Sequence, residues 1–218
     1  MPGIVGDPGL ERLLDELHAT SKAEDEAVER YFFRERSGPW LGMEPRDHAF
    51  MADKMIALER EKAEFCYLIC RAIGARRVVE AGTSFGVSTL YLAAAVRDNG
   101  GGIVFAAEYE PAKAERARRN FELAGLSEFI DLRSGDIIEA SATFEGPIDF
   151  VLFDIWGHVV RPVLDILLPR LRPGAVICTD GERSEGYARL YEILDDPAHG
   201  FRTMTLPFEG GLQFSLKL

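Results

Sequence analysis

Acidic residues recur where apolar segments of this sequence end, and a glycine-containing loop pattern follows the first of them. The apolar pair Val78-Val79 runs into Glu80, after which Gly82 and Gly86 lie four positions apart and an apolar helical pattern continues. Glycines permit tight turns and close approach of a ligand, and free N–H groups at a helix start favour anionic groups. The segment predicts a strand, a tight loop and a helix that open a site for a nucleotide-type ligand.

Four further carboxylates follow later apolar segments, at Glu108, Asp136, Asp154 and Asp180. Ligands in open α/β sheets bind at the carboxyl ends of the strands, so these side chains are candidate site residues. Glu108 has the placement of a ribose binder, because a carboxylate there can accept hydrogen bonds from both sugar hydroxyls. Asp136 can accept from an adenine amino group; the alternative is that it caps the next short helix.

The spacing of the loop glycines separates two kinds of nucleotide ligand. Gly82 and Gly86 form G-x-x-x-G, which lacks the middle glycine that lets a pyrophosphate approach in the dinucleotide fingerprint. A carboxylate at Glu80 would repel a pyrophosphate and attract an ammonium group. Trp156 can stack on a flat base, with an ordinary core position as the alternative. These residues favour a ligand with a nucleoside and an amino-acid tail, which describes S-adenosylmethionine.

The elements that must position these residues alternate along the chain from residue 77. Continuous apolar runs flanked by helical patterns indicate parallel strands that are buried on both faces. The predicted strands are Val78–Ala81, Ile103–Glu108, Ile130–Arg133, Phe150–Phe153 and Ala175–Thr179, and the predicted helices are Val87–Arg97, Pro111–Ala124, Val159–Arg170 and Arg183–Leu194. The segment Arg172-Pro173-Gly174 predicts a turn just before the fifth strand.

Two strand-like runs end the chain, Phe201–Leu206 and Leu212–Leu216. The five residues between them are too few for a helical crossover, so the pair predicts an antiparallel hairpin. The predicted fold class is therefore α/β, with a Rossmann-like, doubly wound, mostly parallel seven-stranded sheet closed by this C-terminal hairpin. Residues 1–76 are helical in pattern and charged, and we expect an N-terminal helical cap there, followed by one compact domain over residues 77–218.

Composition bounds the partners and the compartment. The formal net charge of −11 argues against a nucleic-acid footprint, which needs clustered Lys and Arg, and against binding to an anionic membrane surface. The three cysteines, Cys66, Cys70 and Cys178, form no C-x-x-C pair and suit buried free thiols in a reducing cytoplasm. No apolar stretch is long enough to span a membrane, and the first residues lack a signal-peptide core. We expect a cytoplasmic protein.

At this point the motifs resemble those of a family. Val79-Glu80-Ala81-Gly82-Thr83-Ser84-Phe85-Gly86-Val87-Ser88 is similar to the first motif of class I S-adenosylmethionine-dependent methyltransferases, above all the catechol and caffeoyl-coenzyme A O-methyltransferases. Ala107-Glu108-Tyr109-Glu110-Pro111 resembles their second-strand motif, and Phe153-Asp154-Ile155-Trp156 their fourth-strand motif. Arg172-Pro173-Gly174-Ala175 with Thr179-Asp180, and then Gly210-Gly211-Leu212, follow in the family's order. The resemblance spans roughly residues 50–218.

The resemblance implies a role for each matched position in binding the methyl donor. Glu80, Gly82 and Ser88 would surround the methionine part, and Thr83 and Gly86 belong to the same loop. Glu108 would hold the ribose. Asp136 and Trp156 would hold the adenine, and Asp154 is a candidate both for cofactor binding and for catalysis. These roles agree with the positions of the carboxylates at the predicted strand ends.

The sequence departs from the family's pattern at the acceptor end. Metal-dependent members hold a divalent cation such as magnesium with the fourth-strand Asp and a consecutive Asp-Asn after the fifth strand. Here Asp154 and Asp180 match, but the Asn position is Gly181, so the metal site is doubtful, with Glu182 or Glu185 as alternative oxygen donors. The family's catalytic Lys would fall at Gly157. His158 is then a candidate general base, with a surface histidine at a helix start as the alternative.

The function predicted from these residues is S-adenosylmethionine-dependent methylation of a small molecule, most simply O-methylation of a hydroxyl or phenol, with Asp154 and His158 as catalytic candidates. In such enzymes the N-terminal segment caps the active site and often contributes to dimer contacts, so a homodimer is expected. Its apolar residues could wall an acceptor pocket, with an ordinary core position as the alternative: Trp40, Met43, Phe50, Met51 and Met55. Two alternatives remain open. One is an NAD-dependent oxidoreductase, because the strand–glycine–helix–acid pattern is shared, and the other is a cofactor-binding protein that keeps the fold without catalysis.

Overall fold

The computed structural model describes residues 3–32, 44–155, 157–181 and 187–218. Within these ranges the chain forms eight α-helices and seven strands. The helices are α1 (Pro8–Arg30), α2 (Pro45–Met51), α3 (Arg60–Ala72), α4 (Val87–Asp98), α5 (Pro111–Leu123), α6 (Ile137–Ala142), α7 (Gly157–Leu167) and α8 (Ala188–Leu194). The strands are β1 (Arg77–Ala81), β2 (Ile103–Glu108), β3 (Ile130–Ser134), β4 (Ile148–Phe153), β5 (Leu171–Asp180), β6 (Phe201–Leu206) and β7 (Leu212–Lys217).

The strands form one sheet in the order β3-β2-β1-β4-β5-β7-β6. The first five strands pair in parallel, whereas β7 pairs antiparallel with both β5 and β6. The strand order reverses at β1 and β4, and such a switch point leaves a crevice at the carboxyl ends of the strands. The predicted fold class, including the terminal hairpin, is confirmed.

Helices cover both faces of the sheet and bury two apolar cores. On one face, α1, α3, α4 and α5 pack into a cluster with side chains of the sheet. On the other face, α6, α7 and α8 pack against the opposite side chains of the same strands. The centre of the sheet is therefore apolar on both sides, which explains why the strands read as continuous apolar runs. Polar side chains are left to the strand ends.

Several predicted boundaries differ from the observed ones: β4 begins at Ile148, two residues earlier than predicted, and the limits of β5 and α7 also differ. The predicted turn at residues 172–174 lies inside β5, where the pairing with β4 shifts register between Ile148 and Phe150 and Gly174 has φ of +79°. The turn residues thus bulge the strand and do not precede it. Helix α7 begins two residues earlier than predicted, and its predicted last turn, Leu168–Arg170, is 3₁₀.

The N-terminal helices share the core of the sheet. Leu14 of α1 and Cys70 of α3 are fully buried in the same cluster as α4. The predicted boundary at residue 76 stays a prediction. Trp40 and Met43, which the sequence offers as walls of an acceptor pocket, lie outside the described residues. Among the helices of the described ranges, none combines the length and apolarity needed to cross a bilayer.

Candidate functional site

A cavity of about 570 Å³ opens at the carboxyl ends of β1, β2, β4 and β5. Its volume falls in the range of ~300–1,000 Å³ that is typical of small-molecule sites. Five of the predicted site residues line it: Gly82, Glu108, Asp136, Asp154 and Asp180. The strand topology thus brings together side chains that are far apart in sequence, as the position of the switch point predicts.

The loop between β1 and α4 needs glycine at two positions, Gly82 and Gly86. Gly82 has φ of +97°, and a Cβ there would lie 2.0 Å from the carbonyl oxygen of Asp154. Gly86 has φ of +84°, and a Cβ there would lie 2.3 Å from the ring of Phe121. Both positions combine a left-handed backbone with contact on a neighbour, which only glycine tolerates. The loop is therefore pressed onto β4 and α5.

Glu108 holds the other side of this loop. Its side chain is 9% exposed, and its two oxygens accept hydrogen bonds from the backbone N–H of Ser84 at 2.7 Å and of Glu110 at 2.9 Å. Burial raises the pKa of Glu108, and the bond from Glu110 and the charge of Lys113 oppose that shift. The carboxylate is thus fixed in the cavity wall, where its remaining lone pairs can accept from a ligand.

Glu80 is fully buried beneath the loop. One of its oxygens, Oε2, accepts hydrogen bonds from the hydroxyls of Thr83, at 3.2 Å, and Thr89. The other oxygen, Oε1, has no hydrogen-bond partner in the described part of the chain. Burial raises the pKa of Glu80 to about 7, and the hydrogen bonds from Thr89 and Thr83 oppose the shift. A buried acceptor without a donor is costly, but Glu80 is not among the residues that line the cavity, so its contact with the methionine part stays a prediction.

The remaining predicted loop residues lie behind the cavity wall. Thr83 and Ser88 are 1% and 4% exposed, and Gly86 is buried at the start of α4. Asp136 caps a helix as one reading of the sequence predicts, and its contact with adenine stays a prediction. This residue lines the cavity, and its Oδ1 accepts from the backbone N–H of Ile138 at 2.7 Å as the N-cap of α6.

Asp154 and Asp180 lie at the other end of the cavity, after β4 and at the end of β5. Desolvation of the enclosed Asp154 carboxyl is the main cause that raises its pKa well above the usual range. The nearby charges of Asp180 and Glu80 raise this pKa further. Burial also raises the pKa of Asp180, and hydrogen bonding to Lys62 opposes that shift. Several carboxylates in one enclosed space repel each other, so a compensating positive charge stabilises the site.

Lys62 supplies that charge, and sequence reasoning missed it. Its side chain is 2% exposed, and its Nζ lies 2.6 Å from Oδ1 of Asp180 and 2.8 Å from Oε2 of Glu59. Burial lowers the pKa of Lys62, but the hydrogen bonds to Asp180 and Glu59 outweigh it and leave the pKa raised. The available signal was a lysine four residues before Cys66, on the apolar face of the α3 pattern.

The described donor set does not fit a divalent cation. Magnesium prefers near-octahedral oxygen coordination, but Gly181 offers no side-chain oxygen after Asp180, and an ammonium group already contacts Asp180. No group of three or more His, Cys, Asp or Glu side chains placed to hold a metal occurs in residues 3–32, 44–155, 157–181 and 187–218. Glu182 and Glu185, the alternative donors, fall outside these ranges.

Two further predicted residues have limited description. Trp156 lies outside the described residues, and His158 is the second residue of α7. Apolar and aromatic residues also line the cavity, among them Met51, Ile56 and Tyr187, and the sequence did not assign the last two. Tyr187 donates its hydroxyl to the carbonyl oxygen of Ile155 at 2.7 Å, which ties this wall to the end of β4. Met51 was one of several residues proposed from sequence to wall an acceptor pocket.

Comparisons with known proteins match this architecture. A family model described as a methyltransferase domain matches residues 79–181. The chain is 34% identical over 126 residues to a catechol O-methyltransferase of Mycobacterium tuberculosis, and the aligned region covers 57% of this chain and 56% of that protein. It is 28% identical over 145 residues to a catechol O-methyltransferase of Niastella koreensis, covering 65% and 62%. The chain thus matches about three fifths of the length of these relatives.

Among solved structures, an O-methyltransferase from Bacillus cereus in complex with SAH has a TM-score of 0.69 to this chain at 22% identity, covering 92% of this chain and all of that one. This likeness shows the shared fold. The match of residues 79–181 to a methyltransferase-domain model and the catechol O-methyltransferases among the relatives confirm the resemblance that the sequence motifs indicate. The comparisons do not support an oxidoreductase or a fold without catalysis.

Proposed function

We propose that this protein transfers a methyl group from S-adenosylmethionine to a hydroxyl of a small molecule. The observation that carries the proposal is that Glu108 and Asp180 lie in the wall of the same cavity, at the carboxyl edge of the sheet. One end has the residues for a nucleoside and an amino-acid tail, and the other has ionisable groups for an acceptor. The names of the relatives, catechol O-methyltransferases, support a hydroxyl or phenol as the acceptor.

The donor would bind along the ends of β1 and β2. Glu108 accepts the ribose hydroxyls, and Asp136 with Trp156 holds the adenine. The partnerless oxygen of Glu80 beneath the loop suits an ammonium group, because a carboxylate in an enclosed site attracts a cation far more strongly than in water. Thr83, Gly86 and Ser88 shape the loop and surround the methionine part together with Gly82.

The reaction needs the acceptor oxygen in line with the sulfonium methyl group. The oxygen forms the new C–O bond while the S–C bond breaks, and the bonding electrons stay on sulfur. The hydroxyl proton passes to Asp154, which lines the cavity, with His158 at the start of α7 as the second candidate base. Much of the rate comes from holding the two substrates in this alignment. No step is assigned to a divalent cation, because the described residues do not fit one.

Ligand-induced stabilisation tests the donor. S-adenosylhomocysteine at about 100 times its Kd should add ~2.7 kcal/mol to the free energy of unfolding, or roughly 5–10 °C in Tm for a chain of this size. NADH should give no shift. Transfer of a labelled methyl group to catechol would then test the acceptor class. Stabilisation by NADH without any effect of S-adenosylhomocysteine would reverse the proposal in favour of an oxidoreductase.

We also propose a cytoplasmic homodimer without a nucleic-acid or membrane partner. The three buried free thiols suit a reducing compartment, and the net charge of −11 disfavours polyanions. Light scattering on the purified protein tests the oligomer. A mass twice that of one chain is expected, and a concentration-independent monomer would remove the dimer from the proposal.

A further inference from the structure

Lys62 is the least expected residue near the cavity. It occupies the third position of α3, where the helix dipole disfavours a positive charge. It lies on the buried stripe of that helix, with Cys66 and Cys70, 1% and 0% exposed, one and two turns further on. A buried ammonium group is costly unless it is paired. The sequence therefore keeps a cation at a position where both burial and the helix dipole oppose it.

The compensation for this cost comes from the acceptor end of the cavity. The 2.6 Å contact of Lys62 Nζ with Asp180 joins two residues that lie 118 positions apart. Glu59, the N-cap of α3, provides the second contact at 2.8 Å. Asp180 lines the cavity, whereas Lys62 is buried behind it. The ammonium group thus acts on the cavity through the carboxylate that it fixes.

We propose that Lys62 supplies the fixed positive charge at the acceptor end, in place of the divalent cation of the metal-dependent enzymes that the sequence resembles. This inference rests on the proposed methyl transfer. Gly181 lacks the side-chain oxygen that would be the third donor of a metal site. The ammonium group of Lys62 supplies, at Asp180, the positive charge that a metal ion would bring. The sequence departs from the family's pattern in a missing metal ligand and in a buried lysine. These two departures belong together, because an ammonium group is exchanged for the metal ion.

The exchange has a chemical consequence for the acceptor. As its proton passes to Asp154, the acceptor oxygen gains negative charge, and an uncompensated carboxylate at Asp180 would repel it. The ammonium group of Lys62 neutralises Asp180 and lowers that repulsion, which is electrostatic stabilisation by a preorganised charge. Lys62 is accordingly a positioning residue, and the methyl transfer proceeds without an added metal.

A binding measurement on the unmodified protein tests the exchange without any acceptor. Mn²⁺ is titrated into exhaustively chelated protein saturated with S-adenosylhomocysteine, and the free ion is followed by electron paramagnetic resonance. We expect no site tighter than about 1 mM. A micromolar site that Asp180→Asn abolishes would overturn the inference, whether or not the chain proves to be a methyltransferase. Absence of S-adenosylhomocysteine binding would instead count against the proposed function.

Variants separate a charge role from a merely structural one. In the chelated protein, Lys62→Met should lower kcat for methyl transfer to catechol about 100-fold, while the Kd of S-adenosylhomocysteine changes less than about twofold. Lys62→Arg should keep activity within about tenfold of the unmodified protein, because it retains the charge. Lys22→Met, an exposed lysine of α1, is the matched control and should be unaffected. Equal kcat in folded Lys62→Met and unmodified protein would contradict the inference.

The converse exchange provides an independent check. No atom of the described residues lies within 4 Å of a Cβ built at Gly181, whose φ is +97°, and Asn is among the residues that tolerate a left-handed backbone. The double variant Lys62→Met with Gly181→Asn restores the oxygen donor and removes the competing cation. We expect it to bind Mn²⁺ at least about tenfold more tightly than the unmodified protein. Equal Mn²⁺ binding by the two proteins would count against the exchange.

Discussion

The two ends of the cavity are built in different ways. The donor end, around Glu80 and Glu108, is made of one loop and the strand beside it, and its carboxylates are held by backbone N–H groups and hydroxyls. The acceptor end, around Asp154 and Asp180, depends on Lys62, which comes from a helix before the sheet begins. Local hydrogen bonds fix the first end, and a long-range ion pair fixes the second.

This difference teaches which changes each end tolerates. At the donor end the tight approach of backbone atoms sets the limit, so steric changes should matter most. At the acceptor end the balance of charge sets the limit, so the removal of a cation should matter most. Substitutions that change only one of these two quantities therefore test the contrast between the two ends.

The largest effect is expected at Gly82. Gly82→Ala places a Cβ 2.0 Å from the carbonyl oxygen of Asp154 at φ of +97°, and the combination of strain and clash should cost about 4 kcal/mol or more in the free energy of unfolding. Gly181→Ala is the control, because Gly181 has the same φ and no described residue crowds a Cβ built there. It should cost only about 1–2 kcal/mol. Urea denaturation measures both, and equal losses would show that contact on β4 is unimportant.

The next effect compares the two buried lysines. Lys62→Met leaves Asp180 and Glu59 without their cation and should cost about 3 kcal/mol in the free energy of unfolding. This value is at the lower end of the range for breaking a buried ion pair, because Asp180 is partly exposed. Lys113, 8% exposed at the donor end, has no ion pair within 4.0 Å among the described residues, and burial lowers its pKa. Lys113→Met should therefore cost less than about 1 kcal/mol. A larger loss for Lys113→Met would reverse the contrast.

The pH dependence of stability tests the burial of Glu80. Its pKa is about 7 in the folded chain against a usual value of 4.5, so between these values the folded state keeps a proton that the unfolded state loses. Stability should therefore fall as pH rises from 4.5 to 7, by about 2–3 kcal/mol from this group. Glu80→Gln should remove that part of the slope. Parallel stability profiles for the two proteins over this window would show that Glu80 is not protonated when folded.

The smallest effect concerns the ligand contacts of Glu108. Glu108→Ala should weaken binding of S-adenosylhomocysteine by about 1–2 kcal/mol, roughly 5–30-fold in Kd, through loss of hydrogen bonds to a charged acceptor. Glu110→Ala, which keeps its backbone N–H bond to Glu108, is the control and should bind normally. Calorimetry measures both values. An unchanged Kd in Glu108→Ala would remove this residue from the ribose role.

The contrast also explains what the sequence could predict. The donor end was predictable because Glu80, Gly82 and Gly86 lie within seven consecutive residues, and Glu108 ends the next strand. Apolar periodicity gave the strands, and the rule that ligands bind at their carboxyl ends gave the cavity. The structure then added the reason for the glycines, which is contact with β4 and α5.

The acceptor end was only half predictable. Asp154 and Asp180 follow from the strand ends, but the partner of Asp180 lies 118 residues away, and nothing in local periodicity pairs the two. Tertiary packing of α3 on the sheet creates that contact. The sequence also missed the short 3₁₀ turn after α7 and the bulge in β5. Tertiary contacts with neighbouring elements determine such irregularities, and local periodicity does not record those contacts.

The most direct test of the account is a calorimetric titration of S-adenosylhomocysteine into three chelated proteins: the unmodified chain, Glu108→Gln and Lys62→Met. The account predicts one site per chain, a Kd weakened about 5–30-fold in Glu108→Gln, and a Kd changed less than about twofold in Lys62→Met. Absence of binding to the unmodified chain, or equal weakening by the two substitutions, would contradict the assignment of the donor to the β1–β2 end of the cavity.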